Sequence, residues 1–510
     1  MSWLISGDRR LSQADLQQRA ARAAGGFQKL GIGAGDVVAL YMRNDFTFFE
    51  ASLGAAHAGA YATPINWHFT AEEANYILTD SGAKVLVVHG DLWPRIAGAV
   101  PEGVHVFVVP TPPEIAAAYG IAAGIPAEAA GLTRWEDWLG TQPPLTSAAP
   151  PRNSMIYTSG TTGRPKGVRR QRPTPEQAAA NAAAAGVVYG LKADEEKVVL
   201  MNGPMYHSAP NSYGLTAARQ GASIVLQPRF DAEEMLRLIE RHKVSHMHIV
   251  PTMFVRLLKL PEDVRRKYDL SSLRNTVHGA APCPREVKLA MLDWWGPVIN
   301  EYYGSTETGI CVWLSAADAR RKPGSVGCIQ PGCTLKVFDD DGRELPPGEI
   351  GELYMRASYY PDFTYHNLDD KRREVGRGDL VSVGDIGWVD EDGFVYLCDR
   401  KRDMVISGGV NIYPAEIESV LIGMPGVKDC AVFGIPDEEF GESLCAYVEP
   451  DSVHAPPSPE AVRHFLSQHV AGYKVPKIVE VVTGLPREDS GKIFKRKLRA
   501  PYWEQAGRAI

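Results

Sequence analysis

Short apolar, β-branched runs alternate with amphipathic stretches along much of this chain. VVALYM (37–42), KVLVV (84–88), VHVFVV (104–109), KVVLM (197–201) and SIVLQ (223–227) lack regular polar positions and predict buried strands. After the last of these comes DAEEMLRLIERHK. Asp231 can cap it, acids fill its first turn, and Met235, Leu236, Leu238 and Ile239 give an apolar face. HMHIVP follows as another strand. This strand–helix–strand alternation predicts an α/β fold with mixed or largely parallel sheets flanked by helices.

The pattern loosens in two places and changes style in a third. Residues 111–132 are rich in Ala, Pro and Gly, and TQPPLTSAAPPRNS (141–154) is rich in turn formers, so both read as irregular. Beyond the charged stretch CDRKRDMV (398–405), YPAEIESVLIGMPGV has Pro414 near a helix start and Ile417, Val420 and Leu421 on one side. CAVFGIP and LCAYVEP read as strands, and AVRHFLSQHV as a helix. A large domain over 1–400 and a small α+β domain over 401–510 are expected.

Composition changes this picture little. The 510 residues are 45% hydrophobic and 23% charged, with a formal net charge of −7, which gives no general attraction to nucleic acid or anionic membranes. No apolar run reaches transmembrane length, and MSWLISGDRR is no signal sequence, so a cytoplasmic monomer or homodimer without stable membrane insertion is expected. The seven cysteines show no CxxC and no zinc spacing, and read as reduced structural thiols.

The chemistry begins at YTSGTTGRPKG (157–167). Its glycines let backbone N–H groups approach an anion, hydroxyls of Thr158, Ser159, Thr161 and Thr162 add donors beside Gly160, and Lys166 adds a mobile charge. These parts suit a polyphosphate. Gly167 stands where a P-loop has Ser or Thr, so P-loop kinase chemistry is disfavoured.

The loop resembles the signature phosphate loop of the adenylate-forming superfamily, which contains acyl-CoA synthetases, beetle luciferases and peptide-synthetase adenylation domains. Further motifs follow in that family's order over nearly the whole chain. In EYYGSTETG the resemblance implies that Glu301, Tyr302, Tyr303, Gly304, Ser305 and Thr306 line the nucleotide, with Tyr303 on adenine, Thr306 at phosphate and Glu307 holding Mg²⁺. Gly279, Ala280 and Ala281 of HGAAPCP resemble the turn beside adenine and the acyl group. His207 of MYHSAP resembles a histidine next to the acyl carboxylate, and Ser208, Asn211, Ser212 and Tyr213 follow it into the expected acyl pocket. A carboxylate nucleophile is ionised at neutral pH, so His207 positions or gates the acid rather than acting as a base.

In the later motifs Asp385 resembles the ribose-binding carboxylate, and Arg400 an arginine that also reaches the nucleotide. Arg402 falls at the family's hinge, where Asp or Lys is commoner. Gly408 and Gly409 resemble the loop lining the pantetheine tunnel, Tyr473 and Lys477 are candidates for docking CoA, and Lys492 resembles the catalytic lysine. The implied activity is AMP-forming ligation of a small carboxylic acid to CoA, with Mg²⁺ accompanying ATP. A fatty acid is the first choice and a bulky aromatic or ring-bearing acid the second. With no evident Arg or Lys for a second carboxylate, dicarboxylates are disfavoured. A stand-alone enzyme loading a carrier protein or an amine, or a luciferase-like oxygenase, would share the nucleotide motifs. A non-enzymatic nucleotide-binding module would be expected to lack Lys492.

Overall fold

The computed structural model describes residues 2–150, 152–158, 164–192, 195–487 and 493–506. The predicted strands fall, with others between and beside them, into two parallel stacks. In one, Tyr61–Pro64, Val37–Tyr41, Ala83–His89, His105–Val109 and Thr133–Arg134 lie side by side. In the other, Trp3–Ser6, Ser223–Leu226, Val198–Met201, His246–Ile249, Asn275–His278 and Ile299–Ser305 run parallel in that spatial order. The second stack then turns antiparallel through Gly309–Leu314 and Gly327–Ile329 to the pair Phe394–Arg400 and Asp385–Val389.

The helix Ala232–His242 shows why the sequence folds this way locally. The Asp231 side chain accepts from the Glu234 N–H at 2.8 Å, Met235, Leu236, Leu238 and Ile239 are buried, and Lys243 ends the helix with φ 50°. Each such buried side chain contributes about 1.5–3 kcal/mol relative to exposure. One expectation fails. The stretch 111–132 contains a helix, Pro113–Tyr119, with Pro at its first position and Gly120 at φ 65° as its stop. Its alanines favour helix as much as they suggest looseness, and the Pro start and Gly end suit helix boundaries.

The C-terminal unit is a five-stranded sheet in which Val427–Asp437 and Gly441–Pro450 form a long antiparallel pair, with Ile478–Val481 added in parallel. Helices Pro414–Leu421 and Pro459–Ser467 pack on it through Ile417, Leu421, Val462 and Leu466. The fold is thus a large N-terminal α/β domain with mixed sheets followed by a small C-terminal domain. No described helix is long and apolar enough to cross a membrane.

Candidate active site

Ligands of open α/β sheets bind beyond the carboxyl ends of the parallel strands. Three motifs read from the sequence sit there. MYHSAP follows Val198–Met201, HGAAPCP follows Asn275–His278, and EYYGSTETG carries Ile299–Ser305 over its end.

The loop read as phosphate-binding is flanked by the two strands of a hairpin. Ile156–Thr158 pairs with Lys166–Arg170, setting Thr158 opposite Lys166. Ser159, Gly160, Thr161 and Thr162 lie outside the described residues, as does Lys492. Thr158 Oγ1 donates to Glu307 Oε1 at 3.4 Å, and the Tyr365 hydroxyl donates to the same oxygen at 3.1 Å. Lys166 is buried, its ammonium 5.2 Å from the Tyr365 ring centre. Burial, with Lys371 nearby, lowers its pKa. Thr306 and Glu307 are presented by a tight turn, in which Ser305 Oγ accepts from the N–H groups of Glu307 at 3.2 Å and Thr308 at 3.0 Å. Gly304 pairs with Ile310 across a break in register.

Sequence reasoning missed Arg170. Its buried guanidinium donates to the carbonyls of Thr306, Glu307 and Pro361, the last two at 2.9 and 2.8 Å, and lies 4.6 Å from the Tyr360 ring centre. This fixes the backbone that presents Glu307. In sequence Arg170 is one of several basic residues in KGVRRQR, a pattern that reads as a solvated face.

Two of the residues read as nucleotide-binding converge on Asp385. Tyr303 donates its hydroxyl proton to Asp385 Oδ2 at 2.7 Å, and Arg400 Nε lies 3.0 Å from Oδ1. Asp385 and Arg400 are register partners on adjacent antiparallel strands, so backbone pairing sets their approach. Burial and then the Asp385 charge push the Tyr303 pKa well up, keeping the phenol a donor.

The residues read as an acyl pocket are placed differently. His207 caps the helix Ser208–Arg219 in extended backbone, and Ser208 opens that helix half-buried. Asn211 is buried and ties its amide to the Met205 carbonyl at 2.9 Å. Tyr189 donates to Ser212 Oγ at 3.3 Å, and Tyr213 is fully buried. Gly279 is enclosed, because a Cβ there would come within 2.7 Å of the Tyr302 ring, while Ala280 and Ala281 are exposed. Ala280 has φ 65°, a left-handed conformation costly for a residue with a Cβ and a feature that clusters at ligand sites.

Two residues read as lining the nucleotide have side chains with partners of their own. The Glu301 carboxylate is buried against the Lys288 ammonium, with His278 Nε2 at 3.8 Å, so a buried lysine rather than ligand answers its charge. The Tyr302 side chain hydrogen-bonds His248 Nε2 at 2.8 Å, on the opposite face from Tyr303 as expected for neighbours on a pleated strand. Arg219 ends its helix near His57, and Arg256 lies 5.7 Å from the Phe230 ring centre.

Past the nucleotide-facing strands, Arg402 is half-buried and accepts at its carbonyl from Arg499 at 3.1 Å. Gly408 and Gly409, at φ 58° and 79°, form the two-residue turn joining Val405–Ser407 to Val410–Ile412. Positive φ at both central positions is what a type I′ hairpin turn requires. Tyr473 is exposed, and Lys477 is ion-paired with Asp437 at 2.7 Å.

A strand-end site with a lysine-bearing hairpin and a carboxylate bound to a phenol and a guanidinium fits one class, an adenylating enzyme. The family model described as AMP-binding enzyme matches residues 2–360, and that described as AMP-binding enzyme C-terminal domain matches 416–492. The chain is 33% identical over 514 residues to the fatty acid–[acyl-carrier-protein] ligase ScoC of Streptomyces coeruleorubidus, covering 98% of this chain and 93% of the other. It is also 33% identical over 500 residues to a feruloyl-CoA synthase of Amycolatopsis sp, covering 97% and 94%. The structure of the anthranilate CoA ligase AuaEII in complex with anthranoyl-AMP superposes with a TM-score of 0.85 at 29% identity, covering 99% and 95%. The chain belongs to the AMP-binding enzyme family, and within it is an AMP-forming acid–CoA ligase of the acyl-CoA synthetase branch.

Proposed function

We propose that the chain activates a fatty or ring-bearing monocarboxylic acid in two steps at one site. In the first, the acid's carboxylate oxygen attacks the α-phosphorus of ATP, forming acyl-AMP as the bond to pyrophosphate breaks. In the second, the CoA thiol, losing its proton, attacks the acyl carbon and AMP leaves. Two anions must meet in the first step, so charge neutralisation and alignment dominate catalysis. Asp385 accepts the ribose hydroxyls, with Tyr303 and Arg400 holding its carboxylate. Lys166 and the hydroxyl loop take the β- and γ-phosphates, and Lys492 bridges the carboxylate and the α-phosphate. His207 orients the acid.

The donor set fits a magnesium ion. Glu307 offers a carboxylate beside the hydroxyls of Thr158 and Tyr365, all hard oxygen atoms, and Mg²⁺ takes one or two carboxylates plus substrate phosphates. Bound there with ATP, Mg²⁺ would neutralise phosphate charge.

The single observation carrying this reading is the convergence of Tyr303 and Arg400 on Asp385 beside the Glu307 turn. The small domain, from 401 on, rotates about Arg402 between the steps, withdrawing Lys492 and bringing up Gly408 and Gly409, with Tyr473 and Lys477 near the CoA nucleotide. Single-turnover kinetics test this. Pyrophosphate release should need only acid and ATP, and AMP release should need CoA as well. Arg402→Pro, which fixes φ, should keep the first step and slow the second by about a hundredfold or more, while Arg402→Ala should slow it far less. Equal damage from both variants defeats the hinge, and AMP release independent of CoA defeats the ligase.

A further inference from the structure

The seven cysteines show no pairing along the sequence, but the fold brings two free ones together. Cys311 stands on Gly309–Leu314, just past the turn that presents Glu307, and is fully buried. Cys333 opens the strand Cys333–Phe338, half-buried behind the exposed Pro331 and Gly332. Backbone bonds set their approach. The Gln330 N–H donates to the Cys311 carbonyl at 2.9 Å, and the Cys333 N–H donates to the Gln330 carbonyl at 2.9 Å. Cys333 Sγ lies 3.7 Å from the Ile310 carbonyl oxygen, in the peptide group that leads into Cys311. The Cys311 thiol donates to the Cys333 sulfur. Cys328 is nearer to Cys333 along the chain, yet it packs on the core that holds Leu314 and Phe394, whereas Cys311 and Cys333 share the one that holds Val312 and Tyr359.

The two thiols divide the roles that a peroxide-sensitive pair needs. The bond from Cys311, aided by the Tyr359 hydroxyl 3.4 Å away, favours the Cys333 thiolate and lowers its pKa against the opposing effect of burial. The same bond, and then burial, hold Cys311 protonated. A small oxidant reacts first with the thiol that is more acidic and more exposed, and a second thiol in contact can then resolve the product.

We propose that Cys311 and Cys333 are a modification site, closing to a reversible disulfide under hydrogen peroxide and slowing adenylation through the turn that presents Glu307. The Cys333 thiolate attacks one peroxide oxygen and the O–O bond breaks, leaving a sulfenic acid and a hydroxide that takes up the proton Cys333 gave up. The Cys311 sulfur then attacks the Cys333 sulfur, the S–O bond breaks, and the departing hydroxide leaves as water with the Cys311 proton. Two thiols lose two electrons and two protons, and one peroxide becomes two waters. A dithiol reductant reverses the bond by exchange. A disulfide holds its sulfurs about 2.0 Å apart, well inside the contact distance of two thiols, so closing it draws Gly309–Leu314 toward Cys333. Two routes lead from there to Glu307. Cys311 Sγ lies 3.8 Å from the Thr308 carbonyl oxygen, and Thr308 Oγ1 accepts from the Ser305 N–H of the same turn at 3.0 Å. The Tyr359 hydroxyl, which meets Cys333, donates to the Ile310 carbonyl at 2.6 Å, and its neighbour Tyr360 lies against the Arg170 guanidinium that holds the Thr306 and Glu307 carbonyls.

The effect on turnover rests on the ligase reading above, whereas the disulfide does not. The full chain, freed of reductant, is treated with hydrogen peroxide and read in three ways: free thiols under denaturing conditions, peptide mapping without reduction, and pyrophosphate release with ATP and octanoate, decanoate, benzoate or 4-hydroxycinnamate. Two of the seven thiols should disappear into one linked peptide joining Cys311 to Cys333. Pyrophosphate release should fall by about tenfold or more, as small displacements of catalytic groups do. Dithiothreitol should restore both the thiols and the rate. Cys333→Ser should form no disulfide and keep its rate after peroxide, and Cys311→Ala should stop at a sulfenic acid on Cys333 that dimedone traps. Peroxide that leaves all seven thiols intact, or that joins Cys333 to Cys328 instead, overturns the proposal on the wild type alone, so a misfolded variant cannot shield it. A Cys311–Cys333 disulfide that leaves the rate unchanged overturns the link to the Glu307 turn. A chain that forms the disulfide but activates no acid of the panel refutes the ligase reading and leaves the modification site standing.

Discussion

The two halves of the site are built from opposite materials. Around Asp385, Glu307 and Arg170 the protein sets charges and hydrogen bonds between strands far apart in the chain. Around Tyr302 it sets neutral rings inside the same hydrophobic core that holds Val199, Met201 and Val277. On our proposal the first half holds a nucleotide of fixed charge, so its groups can be pre-oriented and paired, and the second holds an acid whose only fixed feature is its carboxylate, so selection falls to shape. Damage to the first half should therefore act on every acid alike, and damage to the second should depend on which acid is offered.

The sharpest break in that division is Lys492, which on our proposal touches both guests. Lys492→Ala should lower adenylate formation by about a hundredfold to a thousandfold, the cost of removing one preorganised donor from developing charge. Conversion of pre-made acyl-AMP with CoA should stay near wild type. Measuring the half-reactions separately decides it, and equal losses would remove Lys492 from the first step. The loss should also be the same for every acid, which places Lys492 with the nucleotide half in behaviour.

Asp385 should act on the nucleotide half alone. Asp385→Ala removes the acceptor for Tyr303 and the ion partner of Arg400, and should raise KM for ATP by about tenfold or more. KM for the acid should move little, the ranking of acids should not change, and discrimination against 2′-deoxy-ATP should weaken. Asp385→Asn keeps an acceptor and should fall between. If deoxy-ATP is still rejected as strongly by the Ala variant, the carboxylate does not read the ribose.

This asymmetry also governs what the sequence could disclose. Asp385, Tyr303, Glu307 and Lys166 stand in contiguous motifs, as expected if, on our proposal, a ligand of constant shape fixes both residue type and local spacing. The predicted buried strands and the helix Ala232–His242 were legible for a related reason, since their periodicity is local. Arg170 was not, because its partners at Thr306, Glu307 and Pro361 are brought near only by the fold. The hydrogen bond from Tyr302 to His248 is equally hidden, because His248 stands in no motif and the two strands meet only in the fold.

The smallest expected effect separates the halves by pH. His248 and His246 are buried, each with its pKa lowered to about 4 chiefly by burial, and His278 is pushed well below its ordinary value for the same reason, with Lys288 adding to it. A folded-state value below the unfolded one means that the unfolded chain binds more protons between the two. Stability from these groups is therefore present above about pH 6.5 and is lost as pH falls toward about 4, at up to about 1.4 kcal/mol per pH unit for each fully titrating imidazole. Carboxylates titrate lower in this window and blur the total, so the useful quantity is a difference between variants. His248→Gln keeps a partner for Tyr302 but cannot take up a proton. It should cost stability at neutral pH and cost progressively less as the medium is acidified, since the wild type alone pays for keeping His248 neutral. Denaturant midpoints of both proteins at steps from about pH 7 to about pH 5 measure this. A gap that stays constant with pH would mean that His248 titrates alike in the folded and unfolded chain, and a gap that widens on acidification that the fold holds it charged; either outcome would remove the buried, neutral His248 beside Tyr302.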